Sequence, residues 1–391
     1  MMNPFSGEKR VSVLVLAGLG LGLVLSFVAG GCSRVGNGAV DVAVGGLPSA
    51  TTVAPSMTPV PSGTSTPSST TVPSATTSPT VTPTRTPTLH PMSIQAARER
   101  AYPGSAITIE ETLEPGANYY RYYAWYESDG LKIYGLLTIP YGEMPAGGWP
   151  AIVFNHGYIP PDEYRTTERY IAYVDSLARS GYIVYKIDYR GHDQSEGDAS
   201  GAYGDPGYTT DVLNAVASLQ AFPQADPERI GMWGHSMGGF LTLRAMVISP
   251  EIKAGVIWSG VVGSYPDMIC CWRLPTPGVP TPTPNPNFRS GWRTRWQELY
   301  GTPQENPAFW MSISANAYLS ELSGPVQLHA GTGDTEVPIQ FSQDLYQEIQ
   351  AAGVPVEFYE YPGDNHNLSV YFTLAMTRTL EFFDRYLKGG G

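Results

Sequence analysis

Three short stretches of this chain carry residues able to do nucleophilic chemistry. Gly234-His-Ser-Met-Gly238 fits the pattern G-x-S-x-G. An apolar run ending in Met232 and Trp233 precedes it, and Phe240-Leu-Thr-Leu-Arg-Ala-Met-Val247 continues with helical character. A serine at such a strand–turn–helix junction is held in a cramped backbone with its hydroxyl exposed, and the flanking glycines let other backbone pass close. The helix that follows offers its N-terminal N–H groups to negative charge developing nearby. Ser236 is therefore the candidate nucleophile. A serine hydroxyl needs a histidine to take its proton and a carboxylate to orient that histidine. In the chain order serine, acid, histidine, the later stretches supply Asp334, in Gly331-Thr-Gly-Asp-Thr-Glu-Val-Pro338, and His366, in Tyr361-Pro-Gly-Asp-Asn-His366. Each follows a strand-like run, so both belong on loops leaving one edge of a sheet.

Other polar residues compete for these roles. Asp364 precedes His366 by two residues and could orient it, and Glu336 lies close to Asp334. Asp334 could equally serve as a turn residue or cap, and His366 as a surface histidine. His235 stands inside the elbow, with its side chain expected to point away from the Ser236 hydroxyl. Asp188 and His192, in Lys186-Ile-Asp-Tyr-Arg-Gly-His192, read as structural or pocket-lining. An oxyanion hole needs two preorganised N–H donors. The N–H of Met237, next after the nucleophile, is one; the N–H of Tyr158, in Asn155-His-Gly-Tyr158, is the other. Gly157 lets that loop approach, while His156 is expected to hold it by side-chain hydrogen bonds.

These residues need a scaffold, and the pattern of the chain supplies one over residues 93–391. Strand-like runs at 106–113, 119–126 and 131–139 come first, with Gly130 marking a hairpin. Strands at 151–155, 182–188, 254–259, 326–330 and 356–361 then alternate with helical runs at 166–180, 208–222, 339–352 and 371–387, and the elbow strand and helix lie among them. Antiparallel strands leading into repeated βα units predict an α/β fold, a mostly parallel sheet with helices on both faces. Sites of such sheets lie at the carboxyl ends of the strands. Residues 264–306 interrupt the pattern as an insertion: a Pro-Thr repeat followed by a Trp/Arg-rich run containing Trp292 and Trp296. It reads either as an amphipathic lid over the site or as a surface excursion packing its tryptophans on the domain.

Before the domain, residues 1–31 look like a lipoprotein-type signal peptide. Glu8, Lys9 and Arg10 precede an uncharged run over 11–30, which ends in Ala29-Gly-Gly-Cys32. An uncleaved membrane anchor is the rival expectation. Residues 32–92 are dominated by Ser, Thr, Pro, Ala and Val, too poor in apolar surface to fold, and are expected to form a disordered tether. Either way the domain is extracytoplasmic, membrane-anchored or secreted. Cys32, Cys270 and Cys271 are the three cysteines; the adjacent pair is expected as thiols, with a vicinal disulfide the alternative. No spacing suggests a metal site, and no cofactor is expected. A net charge of −12 without a basic block argues against nucleic acid as a partner.

Asn155-His-Gly-Tyr158, Asp188-Tyr-Arg-Gly191, Gly234-His-Ser-Met-Gly238, Gly331-x-x-Asp334-x-x-Val-Pro338 and Asp364-x-His366 together resemble the α/β-hydrolase superfamily. Within it they are similar to the catalytic domain of the prolyl oligopeptidase (S9) family and its dienelactone-hydrolase-like and acetyl-xylan-esterase-like relatives. The resemblance, from about Tyr119 onward, implies the triad Ser236, Asp334 and His366 and no cofactor. The S9 peptidases carry a large β-propeller ahead of this domain, for which 93–118 is far too short, so peptidase specificity does not carry over and an ester is at least as fitting a substrate. The expected function is hydrolysis of carboxylic ester or peptide bonds through an acyl-enzyme. The alternatives are acyl transfer to another acceptor by the same residues, and a non-catalytic cell-surface binding protein.

Overall fold

A computed structural model describes residues 89–272 and 291–389. The chain divides into two units, Met1–Val81 and Thr82–Gly391, and all the described residues belong to the second. The signal expectation, the tether over 32–88 and the Pro-Thr repeat of the insertion lie outside the described residues. Residues 89–92, expected as the end of the tether, pack on the domain instead, with Met92 buried and His90 bonded to Tyr300.

The strands are β1 (Thr108–Leu113), β2 (Tyr119–Ser128), β3 (Leu131–Pro140), β4 (Trp149–Asn155), β5 (Ile183–Ile187), β6 (Ala225–His235), β7 (Ala254–Trp258), β8 (Val326–Gly331) and β9 (Val356–Tyr361). They form one sheet in the order β1-β2-β3-β5-β4-β6-β7-β8-β9. The pairs among β1, β2, β3 and β5 are antiparallel, and those from β5 through β4 to β9 are parallel. Asp129 and Gly130 both take positive φ, 54° and 76°, between paired Ser128 and Leu131. That handedness matches the twist of the strands it joins.

The helices are α1 (Ile94–Glu99), α2 (Ile171–Arg179), α3 (Gly207–Gln220), α4 (Met237–Ile248), α5 (Tyr265–Cys270), α6 (Gly291–Tyr300), α7 (Pro307–Ile313), α8 (Ile339–Ala351) and α9 (Phe372–Leu387), with a 3₁₀ turn at Ala315–Glu321. α9 buries Ala375, Met376, Thr379, Phe382, Phe383 and Leu387, the three-and-four spacing of an amphipathic helix. With α2 it covers one face of the sheet over Phe154, Trp233 and Trp258. The other face carries a larger core in which residues of α3, α4 and α8 pack. All 12 residues of α4 are buried, so this helix has no solvent stripe.

Register puts the site at one edge. Asn155 pairs with Gly234, His235 with Trp258, and Gly331 with Tyr361. The loops that hold Tyr158, Ser236, Asp334 and His366 therefore all leave from strand ends lying side by side.

The structure corrects two expectations. The helix expected over 166–180 begins only at Ile171, because Tyr170 takes a left-handed backbone (φ 59°, ψ 27°) ahead of it. Cys270 and Cys271, expected as thiols, are joined in a disulfide. Neighbouring cysteines need no long-range folding to meet, so spacing alone does not decide between the two states.

Candidate active site

β6 delivers the chain to Ser236 in a conformation that side chains rarely adopt, φ 56° and ψ −118°. Its surroundings impose it. Ser236 N–H donates to Trp258 O at 3.0 Å, and Ser236 O accepts from Gly239 N–H at 2.9 Å and Val261 N–H at 3.0 Å. The glycines on either side are required by space. A Cβ on Gly238 would stand 1.9 Å from Asn155 O, and one on Gly234 would stand 2.2 Å from Gly238 O. Met237 begins α4, so its N–H is among the leading donors that have no acceptor within the helix.

The loop after β4 approaches this elbow. His156 is buried, stacks on Tyr164 with ring centroids 4.4 Å apart, and bonds Gly157 O through Nδ1 at 2.7 Å. Since a peptide unit is planar and trans, a Gly157 carbonyl turned toward His156 directs the Tyr158 N–H the opposite way. Burial holds the His156 imidazole well below its ordinary pKa, against the smaller raising effect of its backbone hydrogen bonds.

The two aspartates near His366 do different things. Asp334 accepts from the N–H of Glu336 (2.8 Å) and Val337 (3.0 Å) through Oδ1, and bonds His366 Nδ1 at 2.7 Å through Oδ2. It is thus a turn residue and a histidine partner together, one oxygen for each. Burial alone would raise its carboxyl; the hydrogen bond and charge of His366, with the two backbone N–H groups, bring it below the ordinary value. Asp364 accepts only backbone N–H groups among its hydrogen bonds, those of Asn365, Val370 and Tyr371. It shapes the loop and the entry to α9.

Ser236 and His366 line one cleft of about 350 Å³ with Tyr158, Tyr170, Tyr173 and Glu336. The exposed Glu336 carboxylate stands 3.9 Å from His366 Nε2. His235 is buried, its ring centroid 4.6 Å from that of His366 and its nitrogens bonded to Tyr170 Oη (2.7 Å) and His366 O (2.9 Å). Asp188 is buried under the site, accepting from the hydroxyls of Tyr164 and Thr166 beside Lys186. His192 packs among Tyr164, Tyr189 and Tyr208.

The described part of the insertion does not line the cleft. Trp272 and Trp296 are buried in the domain, with Trp296 stacked on Tyr265 at 5.9 Å, and Trp272 Nε1 donates to Glu336 O at 2.9 Å. Among the described residues no group of His, Cys, Asp or Glu could hold a metal ion. Tyr170 is not foreseeable from the sequence: its partners come from 13 and 65 positions away, and no local signal marks it.

Comparison with known proteins bears on the fold and the class of protein. A family model described as "Serine aminopeptidase, S33" matches residues 150–343. The chain is 26% identical over 242 residues to "Uncharacterized peptidase YtmA" of Bacillus subtilis, covering 62% of this chain and 84% of that protein. It is 26% identical to the acylamino-acid-releasing enzyme of Rattus norvegicus, covering 56% of this chain but only 29% of the rat protein. Among solved structures, the acetyl xylan esterase from Paenibacillus sp. R4 superposes with a TM-score of 0.55 at 19% identity, covering 74% of this chain and 91% of the esterase. The Pyrococcus horikoshii acylaminoacyl peptidase gives 0.53 at 23% identity, covering 69% and 42%. Fold, family match and relatives define a serine hydrolase. These likenesses support an α/β-hydrolase of the prolyl-oligopeptidase-like group.

Proposed function

We propose that the chain hydrolyses carboxylic ester or short peptide bonds through an acyl-enzyme, with Ser236 as nucleophile, His366 as base and Asp334 as its orienting acid. One observation carries this: the strained Ser236 opens into the same cleft as His366, whose far ring nitrogen is bonded to the covered side chain of Asp334. In acylation the Ser236 Oγ–H proton passes to His366 Nε2 as Oγ attacks the carbonyl carbon. The negative charge that develops on the carbonyl oxygen is met by the N–H groups of Met237 and Tyr158. His366 then returns the proton to the departing alcohol or amine. Water repeats the sequence, losing a proton to His366 and releasing the acid from Ser236. Asp334 keeps the proton of neutral His366 on Nδ1, leaving Nε2 free to accept.

Coverage bears on the substrate. The relatives matched over most of their length include both an esterase fold and a protein named a peptidase, so both bond types stay in the proposal. The test is turnover on p-nitrophenyl esters beside aminoacyl and dipeptidyl chromogenic amides, with a fluorophosphonate probe for Ser236. Absence of labelling and of turnover on every substrate would overturn the proposal.

The proposal extends to location. The uncharged run over 11–30 ending before Cys32 supports export and lipid attachment at Cys32, with the Ser/Thr/Pro segment as a spacer. Mass spectrometry of the mature N-terminus decides it: an unmodified Cys32, or a chain starting beyond it, excludes lipidation.

A further inference from the structure

We propose that Tyr170 and His235 are positioning residues, forming a brace that ties the oxyanion loop to the loop of the base; this rests on the roles given above to Tyr158 and His366. Three hydrogen bonds run in series from one loop to the other. Gly157 N–H donates to Tyr170 Oη at 2.8 Å, Tyr170 Oη meets His235 Nδ1 at 2.7 Å, and His235 Nε2 meets His366 O at 2.9 Å.

The protons in this series have one arrangement. A backbone N–H can only donate and a carbonyl can only accept, so the two ends set the direction. Burial pushes the His235 imidazole down to about 3, with the neighbouring His366 charge acting the same way, so it carries a single N–H. That N–H must be on Nε2, because His366 O needs a donor. Nδ1 is then an acceptor, and the Tyr170 hydroxyl supplies its proton to it while accepting from Gly157. Every donor and acceptor in the series is matched, and reversing any one would orphan a buried polar group.

The position of each end matters to the chemistry. Gly157 N–H precedes by one residue the Tyr158 N–H that receives the oxyanion, and His366 O belongs to the residue whose ring takes the proton. Tyr170 reaches this place through a left-handed backbone, which a bulky residue adopts only when its surroundings insist. Its ring is held edge-on by Phe154 at 5.5 Å and Tyr173 at 5.3 Å. Little slack exists: a Cβ on Gly157 would stand 2.8 Å from Tyr170 Oη and 3.1 Å from Ser236 Cβ. The brace thus fixes the separation between oxyanion donor and base, on which a tetrahedral intermediate depends and a bound ground-state substrate does not.

Tyr170→Phe removes one oxygen and leaves the ring. It is expected to lower kcat on a p-nitrophenyl ester about 10- to 100-fold, the range for losing a supporting contact, with KM within about twofold. The Ki of a trifluoromethyl ketone analogue should rise by the same factor as kcat/KM falls, a match that general loosening of the fold does not produce. Tyr170→Phe with His235→Gln should cost little more than the worse single variant, because the series acts as one unit. Should Tyr170→Phe fail to fold, His235→Gln alone must show the same split between kcat and KM. A kcat within twofold of wild type, a loss confined to KM, or full additivity overturns the brace. Ser236→Ala is measured alongside: if it is inactive while Tyr170→Phe is unimpaired, only the brace falls, whereas an active Ser236→Ala removes the underlying mechanism.

Discussion

Asp364 is buried and Asp334 is half-buried with its side chain covered, and both accept backbone N–H groups in tight loops, yet only one turns an oxygen to the histidine. Asp364 is two residues from His366 and Asp334 is 32 away. Sequence proximity favours the wrong one. Asp364 closes bonds forward along its own loop, to residues 365, 370 and 371, which turns its carboxylate toward the start of α9. Asp334 reaches His366 because β8 and β9 pair with Gly331 beside Tyr361, so their loops leave together. Register between neighbouring parallel strands, rather than spacing along the chain, decides which carboxylate meets the imidazole.

The severest way to break this comparison is to remove its common reference. Ser236→Ala and His366→Ala are each expected to lower kcat by about 10⁴–10⁶, and the double variant little further, since the groups act as a unit. Hydrolysis rates of a p-nitrophenyl ester on folded protein measure it. If the two losses multiply, the residues do not share a step.

Asp334→Ala comes next, at about 10³–10⁴ in kcat, because His366 keeps its loop but loses the bond that holds its tautomer. Asp334→Asn adds a test at acid pH. The folded carboxyl titrates below its ordinary value of 3.8, so its stabilising contribution is complete above that value and is lost as pH falls through the folded one. Urea midpoints of the wild type should therefore fall more steeply below about pH 4 than those of Asp334→Asn. Parallel curves would show that the bond to His366 contributes nothing to stability.

Asp364→Ala inverts the pattern. It should cost less than about tenfold in kcat. It orphans three backbone donors, though, and should lower stability by about 1–3 kcal/mol, visible as a fall of several degrees in Tm. A crippled but fully stable Asp364→Ala, beside a mild Asp334→Ala, would exchange the two roles.

Glu336→Gln has the smallest expected effect. An exposed carboxylate 3.9 Å from His366 Nε2 is worth at most about 1 kcal/mol, so kcat/KM should change by less than about fivefold and less still in high salt. A hundredfold loss would make Glu336 part of the machinery and reopen the choice of acid.

Much of the molecule is legible in its sequence because local and global signals agree. The elbow announces itself by glycines that any other residue would make impossible, and the strands by runs that fill a buried sheet. The strand order can be anticipated only as a class, since crossing β5 to the far side of β4 is a tertiary event. Tyr170 is hidden for a different reason. A helical pattern over 166–180 says nothing of one residue turned left-handed, and its hydroxyl answers to groups in β6 and in the loop after β4. The helices α5 and α6 flank the Pro-Thr repeat, and α5, six residues long, is too short to show a helical period. Trp296 of α6 and Trp272, which follows α5, enter the core by shape, which composition does not encode.

The burial of α4 on every side sets how this enzyme will fail on heating. A peripheral helix can fray and reclose while the rest of a protein stays intact, but α4 has no exposed face from which to begin. Its amides should therefore exchange with solvent deuterium only when the whole domain opens, among the slowest in the chain. Because Ser236 stands at its first turn, the serine's conformation survives until that same event. Inactivation by heat and loss of the tertiary core should share one rate, with no long-lived species that is folded yet chemically dead.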